Sequence, residues 1–166
     1  MLTRLLASLL LLSLPQISVP QQSGTKQRQV PESCTVTSAL IHPFVPPPPY
    51  RSDTGINWFG TDRFWTFLPN NGTWPLGEKT FWFRQEWGYY GHNRISDEDA
   101  AKLKVTAKRL DSPAPPAEIL KANSSYREQD WKAFLVGGIN FPTPGCWEVS
   151  GRYESDELTF VVWVVK

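Results

Sequence analysis

Cysteine, histidine and methionine are scarce in this 166-residue chain, which holds two, two and one of them, the single methionine being Met1. That scarcity removes most ways of building a metal centre. Copper handling favours methionine or clustered histidine, and His42 and His92 are isolated from each other and have no ligand spacing to a cysteine. No metal ligand and no cofactor is assigned. A dominant charge is missing too, with 17 basic against 16 acidic residues and a net charge of +1. Nucleic acid is therefore not an expected partner, because phosphate binding needs a concentrated positive surface.

Catalytic signatures are equally sparse. There is no Gly-x-Ser-x-Gly elbow, His42 sits in a proline-rich run, and His92 follows Tyr89-Tyr90-Gly91. A carboxylate pair such as Glu86 with Glu148 exists on paper, but Glu148 is expected to face a lysine or arginine on a sheet surface. No catalytic residue is assigned, and the chain is read as non-enzymatic.

Long apolar runs are absent except at the start. Arg4 precedes Leu5 to Leu14, and Pro15 ends the run. That is the layout of a signal peptide, and it is too short for a membrane span of ~20 residues. A buried N-terminal helix is the alternative. The expected organisation is a signal peptide over 1–20, cleaved between Ser13 and Gly24, a disordered leader over 21–33, a proline-rich arm over 34–54 and a β-sandwich domain over 55–166. The mature protein is expected to have no integral membrane segment and to be exported, to a periplasmic, cell-envelope or extracellular location.

In such a compartment Cys34 and Cys146 are expected to form one disulfide, closing most of the domain into a loop; two free thiols are the alternative. Five of the fifteen prolines fall between His42 and Tyr50. That segment must run extended, either as a rigid arm across the fold or as a ligand for a partner domain.

Aromatics are abundant instead, and five of the eight tryptophans lie between Gly55 and Tyr90. Arg63–Leu68 and Lys79–Arg84 read as strands with Pro69-Asn70-Asn71-Gly72 as the turn between them. Ser96 and Asp99 suggest a capped helical turn over Asp97 to Ala101. Leu103, Val105 and Ala107 alternate with Lys104, Thr106 and Lys108, the pattern of a half-buried strand. Glu118 to Tyr126 is polar and weakly patterned. Trp131 to Val136 reads as a strand ended by Gly137-Gly138. The C-terminus is a hairpin, Cys146–Val149 against Leu158–Val165, with Trp147 and Val149 on the core face, Cys146 on the other, and a last strand apolar on both faces. Six to eight short strands without a long amphipathic helix predict an all-β, antiparallel, immunoglobulin-like sandwich.

The run from Phe141 through Pro142-Thr143-Pro144-Gly145-Cys146-Trp147-Glu148-Val149, followed by Leu158-Thr159-Phe160-Val161-Val162, resembles a C-terminal signature of uncharacterised exported bacterial proteins. Trp58-Phe59-Gly60, Phe64-Trp65-Thr66 and Phe81-Trp82 are similar to the same group in order and spacing. The resemblance spans roughly residues 34 to 165. It implies an exported immunoglobulin-like domain and brings no catalytic residues.

Three functions follow for test: an interaction or structural module with an unknown protein or polysaccharide partner, a carbohydrate- or wall-polymer-binding module, and an envelope enzyme of unrecognised type. Sugar C–H faces stack on exposed rings, and Trp65, Trp82, Trp87, Tyr89 and Tyr90 are the ligand-binding candidates. The competing use of those rings is to fill the core. The sequons at Asn71 and Asn123 matter only in a eukaryotic secretory pathway and are read as chance.

Overall fold

The computed structural model describes residues 30–41, 43–50, 56–69, 71–89, 94–127 and 132–166. The regular structure of the described chain is almost all β, in the order β1 (Asn57–Gly60), β2 (Trp65–Leu68), β3 (Thr73–Pro75), β4 (Gly77–Trp82), the helical turn α1 (Asp97–Ala100), β5 (Lys104–Arg109), β6 (Glu118–Arg127), β7 (Lys132–Asn140), β8 (Gly145–Tyr153) and β9 (Asp156–Val165). A short 3-10 turn, Glu86–Tyr89, follows β4. The strands form a four-stranded sheet ordered β3-β9-β8-β5, a three-stranded sheet ordered β4-β7-β6, and the hairpin β1-β2. Every pairing is antiparallel except β3 with β9.

The C-terminal hairpin is the longest uninterrupted pairing, in register from Gly145 opposite Val164 to Tyr153 opposite Asp156. Glu154, in its two-residue turn, takes a left-handed φ of 53°, as tight hairpin turns require. Alternation along β8 and β9 buries Trp147, Val149, Phe160, Val162 and Val164. These meet Trp82 of β4 and Leu135 and Ile139 of β7 in one core shared by both sheets. The Trp82 and Phe160 rings lie 6.0 Å apart, and Phe64 stacks on Trp82 at 5.3 Å. The Trp82 indole N–H donates to Thr80 at 2.8 Å, and the Thr80 hydroxyl in turn reaches the Gly137 carbonyl at 3.2 Å. A buried polar pair is thereby satisfied.

A second, smaller aromatic cluster covers the other face of the three-stranded sheet. It comprises Tyr50, Trp58, Trp65, Phe83 and Phe134. Segment 43–50 lies against it: Phe44 sits 5.9 Å from Trp65, and the buried Tyr50 hydroxyl donates to the Ala133 carbonyl at 2.6 Å. Double coverage explains why β4 carries aromatics at successive positions. Phe81 and Phe83 face outward, Trp82 inward.

Cys34 and Cys146 form the disulfide. Beyond it the N-terminal segment follows the free side of β9. Thr37 donates its N–H to the Val161 carbonyl and accepts the Val161 N–H on its hydroxyl, both at 2.9 Å. The apolar last strand is accordingly central, flanked by β3 and β8.

The turn expected over Pro69 to Gly72 forms, the Gly72 N–H donating to the Pro69 carbonyl at 3.2 Å, but the chain enters β3 before it reaches β4. The Asn71 side-chain oxygen Oδ1 accepts from the N–H and hydroxyl of Thr73 at 3.1 and 2.7 Å, and Gly72, with φ of 67°, turns the chain into β3, which pairs in parallel with β9. A side chain at Gly72 would lie 2.6 Å from Val36. Glu118 to Tyr126, polar and weakly patterned in sequence, lies in strand β6 at a sheet edge, and its register slips between Leu120 and Asn123, which scrambles its alternation. Gly137 and Gly138 lie within β7 and do not end it. There Leu120 packs so closely that a Cβ on Gly138 would be 2.8 Å from it.

The capped turn forms as expected. The Ser96 hydroxyl accepts the Asp99 N–H at 3.0 Å. Strand β5 likewise buries Val105 and exposes Lys104, Thr106 and Lys108.

Candidate functional site

The predicted stacking rings are placed in the interior. Trp65 and Trp82 are 0% exposed and Trp87 is 1% exposed. Trp82 belongs to the shared core, Trp65 to the second cluster, and Trp87 packs edge-on at 5.0 Å against Tyr153. None of the three offers a ring face to a ligand, because a sugar must reach the π surface it stacks on. The side chain of Tyr89, and Tyr90 as a whole, lie outside the described residues.

The fold also holds two arginine-centred charged arrangements. At the end of β4 the buried Arg84 donates to Asp156 at 2.7 Å and to Glu86, and its guanidinium lies 4.9 Å from the Tyr153 ring centroid. Arg63 reaches the same Asp156 carboxylate at 3.3 Å. This network ties β4 to the β8-β9 turn, so it holds structure together. Burial pushes the Tyr153 hydroxyl above its ordinary pKa. On the opposite side Arg109 donates to Asp111 at 2.7 Å and to Thr143 at 2.7 Å, and the first of these bonds holds the Asp111 carboxyl below its usual range. Glu148 stands opposite Lys108 in the β5-β8 register, and Glu86 is engaged by Arg84. Among the described residues no three His, Cys, Asp or Glu side chains come together as a metal site.

The arrangement best suited to a ligand is a groove of about 310 Å³ between the β1-β2 hairpin and β3-β4. Phe67 and Phe81 line it as a stacked pair, 4.8 Å between centroids and 22° between planes. Both are only half-buried in a protein that hides most of its tryptophans. Parity along β4 accounts for this, because Thr80 and Trp82 turn inward and leave Lys79 and Phe81 outside. Asn57, Glu78 and Lys79 add polar groups to the lining. A smaller hollow of about 160 Å³ adjoins it through Asn57 and Pro69 and brings in Ser38 and Asn71.

Sequence reasoning missed Phe67 and Phe81. The signal was present in Phe81-Trp82-Phe83, where neighbouring rings must take opposite faces. Which face stays open depends on where segment 43–50 and the β1-β2 hairpin lie, and no local pattern encodes that. Compared with protein-family models, with curated proteins and with solved structures, the chain matches none of them.

Proposed function

We propose that this chain is an exported, non-enzymatic β-sandwich of immunoglobulin-like type that acts as an interaction or structural module in the periplasm or cell envelope. The observation that carries this reading is the Cys34–Cys146 disulfide across a separation of 112 residues, since such bonds persist in oxidising compartments. Its two sheets sharing one core are what a sandwich requires. No helix of the described residues is long and apolar enough to cross a membrane.

The test is expression of the whole chain with a C-terminal tag in a bacterial host, followed by fractionation and intact-mass measurement. A chain shortened at a point between Ser13 and Gly24, oxidised and outside the cytoplasm, agrees with the proposal. A full-length, reduced chain retained in the cytoplasm contradicts it.

A second reading, a carbohydrate-binding module, keeps support from one observation only. That is the partly buried Phe67–Phe81 stack in the groove; Trp65, Trp82 and Trp87, being buried, lend it no support.

A further inference from the structure

We infer that the groove beside β4, together with the hollow that adjoins it, binds a neutral oligosaccharide, with Phe67 and Phe81 as the stacking surface. This rests on the reading of the chain as a non-catalytic interaction module and names what it holds.

The larger space, about 310 Å³, is at the lower limit of ligand pockets, which run from about 300 to 1,000 Å³. It is an open groove, and Asn57 and Pro69 line both it and the second hollow. Two neighbouring open compartments suit successive units of a chain better than one compact molecule.

The lining selects the chemistry. A sugar ring offers an apolar C–H face and a rim of hydroxyls, each both donor and acceptor. It therefore needs an aromatic surface beside short polar groups of mixed character. The stacked pair supplies the first. The hydroxyl of Ser38, the carboxylate of Glu78 and the amide N–H groups of Asn71, whose oxygen is held by Thr73, supply the second. Glu78 and Lys79 are adjacent and opposite in sign, so the groove has no net preference for a charged ligand. A nucleotide or polyphosphate would need a surplus of positive charge that is not there. Lys79 is exposed and has no ion-pair partner among the described residues, leaving three donors for hydroxyl oxygens.

The experiment is calorimetric titration of the full mature chain with cellohexaose, xylohexaose, chitohexaose and maltohexaose, followed by chromatography of the sugar. Saturable binding of at least one is expected. Phe81→Leu and Phe67→Leu, which keep apolar volume, should each weaken it roughly tenfold, with unchanged circular dichroism. Lys79→Ala, at an exposed position, should weaken it about threefold and serves if either phenylalanine variant fails to fold. Absence of binding to all four sugars at millimolar concentration overturns the proposal. Equal affinity in the folded variants also overturns it, placing the sugar elsewhere while the module reading stands. Shortened sugar products would overturn the non-enzymatic reading beneath it.

Discussion

The six-membered ring of Trp82 occupies the place where Gly151 would carry a side chain. A Cβ built on Gly151 would lie 2.2 Å from the Trp82 Cη2 atom. Here a strand of one sheet approaches the central tryptophan of the other with nothing but backbone. Overpacking a core costs roughly 1–3 kcal/mol, and an indole wedged against Phe64 and Phe160 has little room to retreat. Gly151→Ala should destabilise the protein by about 3 kcal/mol in urea unfolding. Gly77→Ala, whose new methyl would meet nothing nearer than 3.7 Å, should change stability little.

The disulfide links Cys34 to Cys146 of β8. Closure of a loop of this length is worth about 4–5 kcal/mol by chain entropy. Alkylation of the denatured, unreduced protein should find no free thiol, and Cys34→Ser/Cys146→Ser should lose stability on that scale. Recovery of two thiols, or an unchanged urea midpoint in the double variant, would contradict the pairing.

Asp156 is the shared partner of Arg84 and Arg63. Removing one member of a largely buried ion pair leaves an uncompensated charge and costs about 3–5 kcal/mol. Asp156→Ala should fall at the lower end of that range, because its side chain keeps some contact with water. Arg84→Met should rescue part of the loss, so that the double variant is more stable than the two single losses predict. Strict additivity in a double-mutant cycle would show that the pair is not coupled.

Stability should fall at both ends of the pH scale, for separate reasons. The hydrogen bond from Lys102, then that from Ser96, holds Asp99 below its ordinary value of 3.8, and Arg109 does the same for Asp111. A depressed folded pKa contributes stability that is present above the unfolded value and lost as pH falls through the folded one. The acid loss therefore begins near pH 4, and Asp99→Asn should flatten it. Tyr153 works in the opposite sense. Its raised pKa, caused chiefly by burial, favours the native state below 10.0 and stops doing so as pH climbs above that value. Tyr153→Phe should remove part of the alkaline decline. The pH dependence of the urea midpoint reads both limbs.

Strong local patterns were legible in the sequence. The alternation of Leu103, Val105 and Ala107, the Ser96 cap, the C-terminal hairpin and the pairing of the only two cysteines could all be read without coordinates. What escaped was set by distant partners. Gly72 turns the chain because β9 offers Trp163 as the partner of Thr73, and β6 is a strand because β7 lies beside it. The aromatic block could be read as core or as surface, and the decision rested with segment 43–50. Its Tyr50 hydroxyl reaches 83 residues along the chain to Ala133, burying Trp65 and leaving Phe67 and Phe81 at the edge.

Trp65, Trp82 and Trp87 build the fold, and the groove beside β4 is where a ligand is proposed to sit. Fluorine NMR of the 5-fluorotryptophan-labelled protein with a soluble paramagnetic chelate separates these two roles. The resonances of Trp65, Trp82 and Trp87, assigned by Trp→Phe variants, should remain sharp as the chelate is added, with and without oligosaccharide. Broadening of these three by the chelate, relieved when a sugar binds, would return the binding surface to the tryptophans and contradict the account.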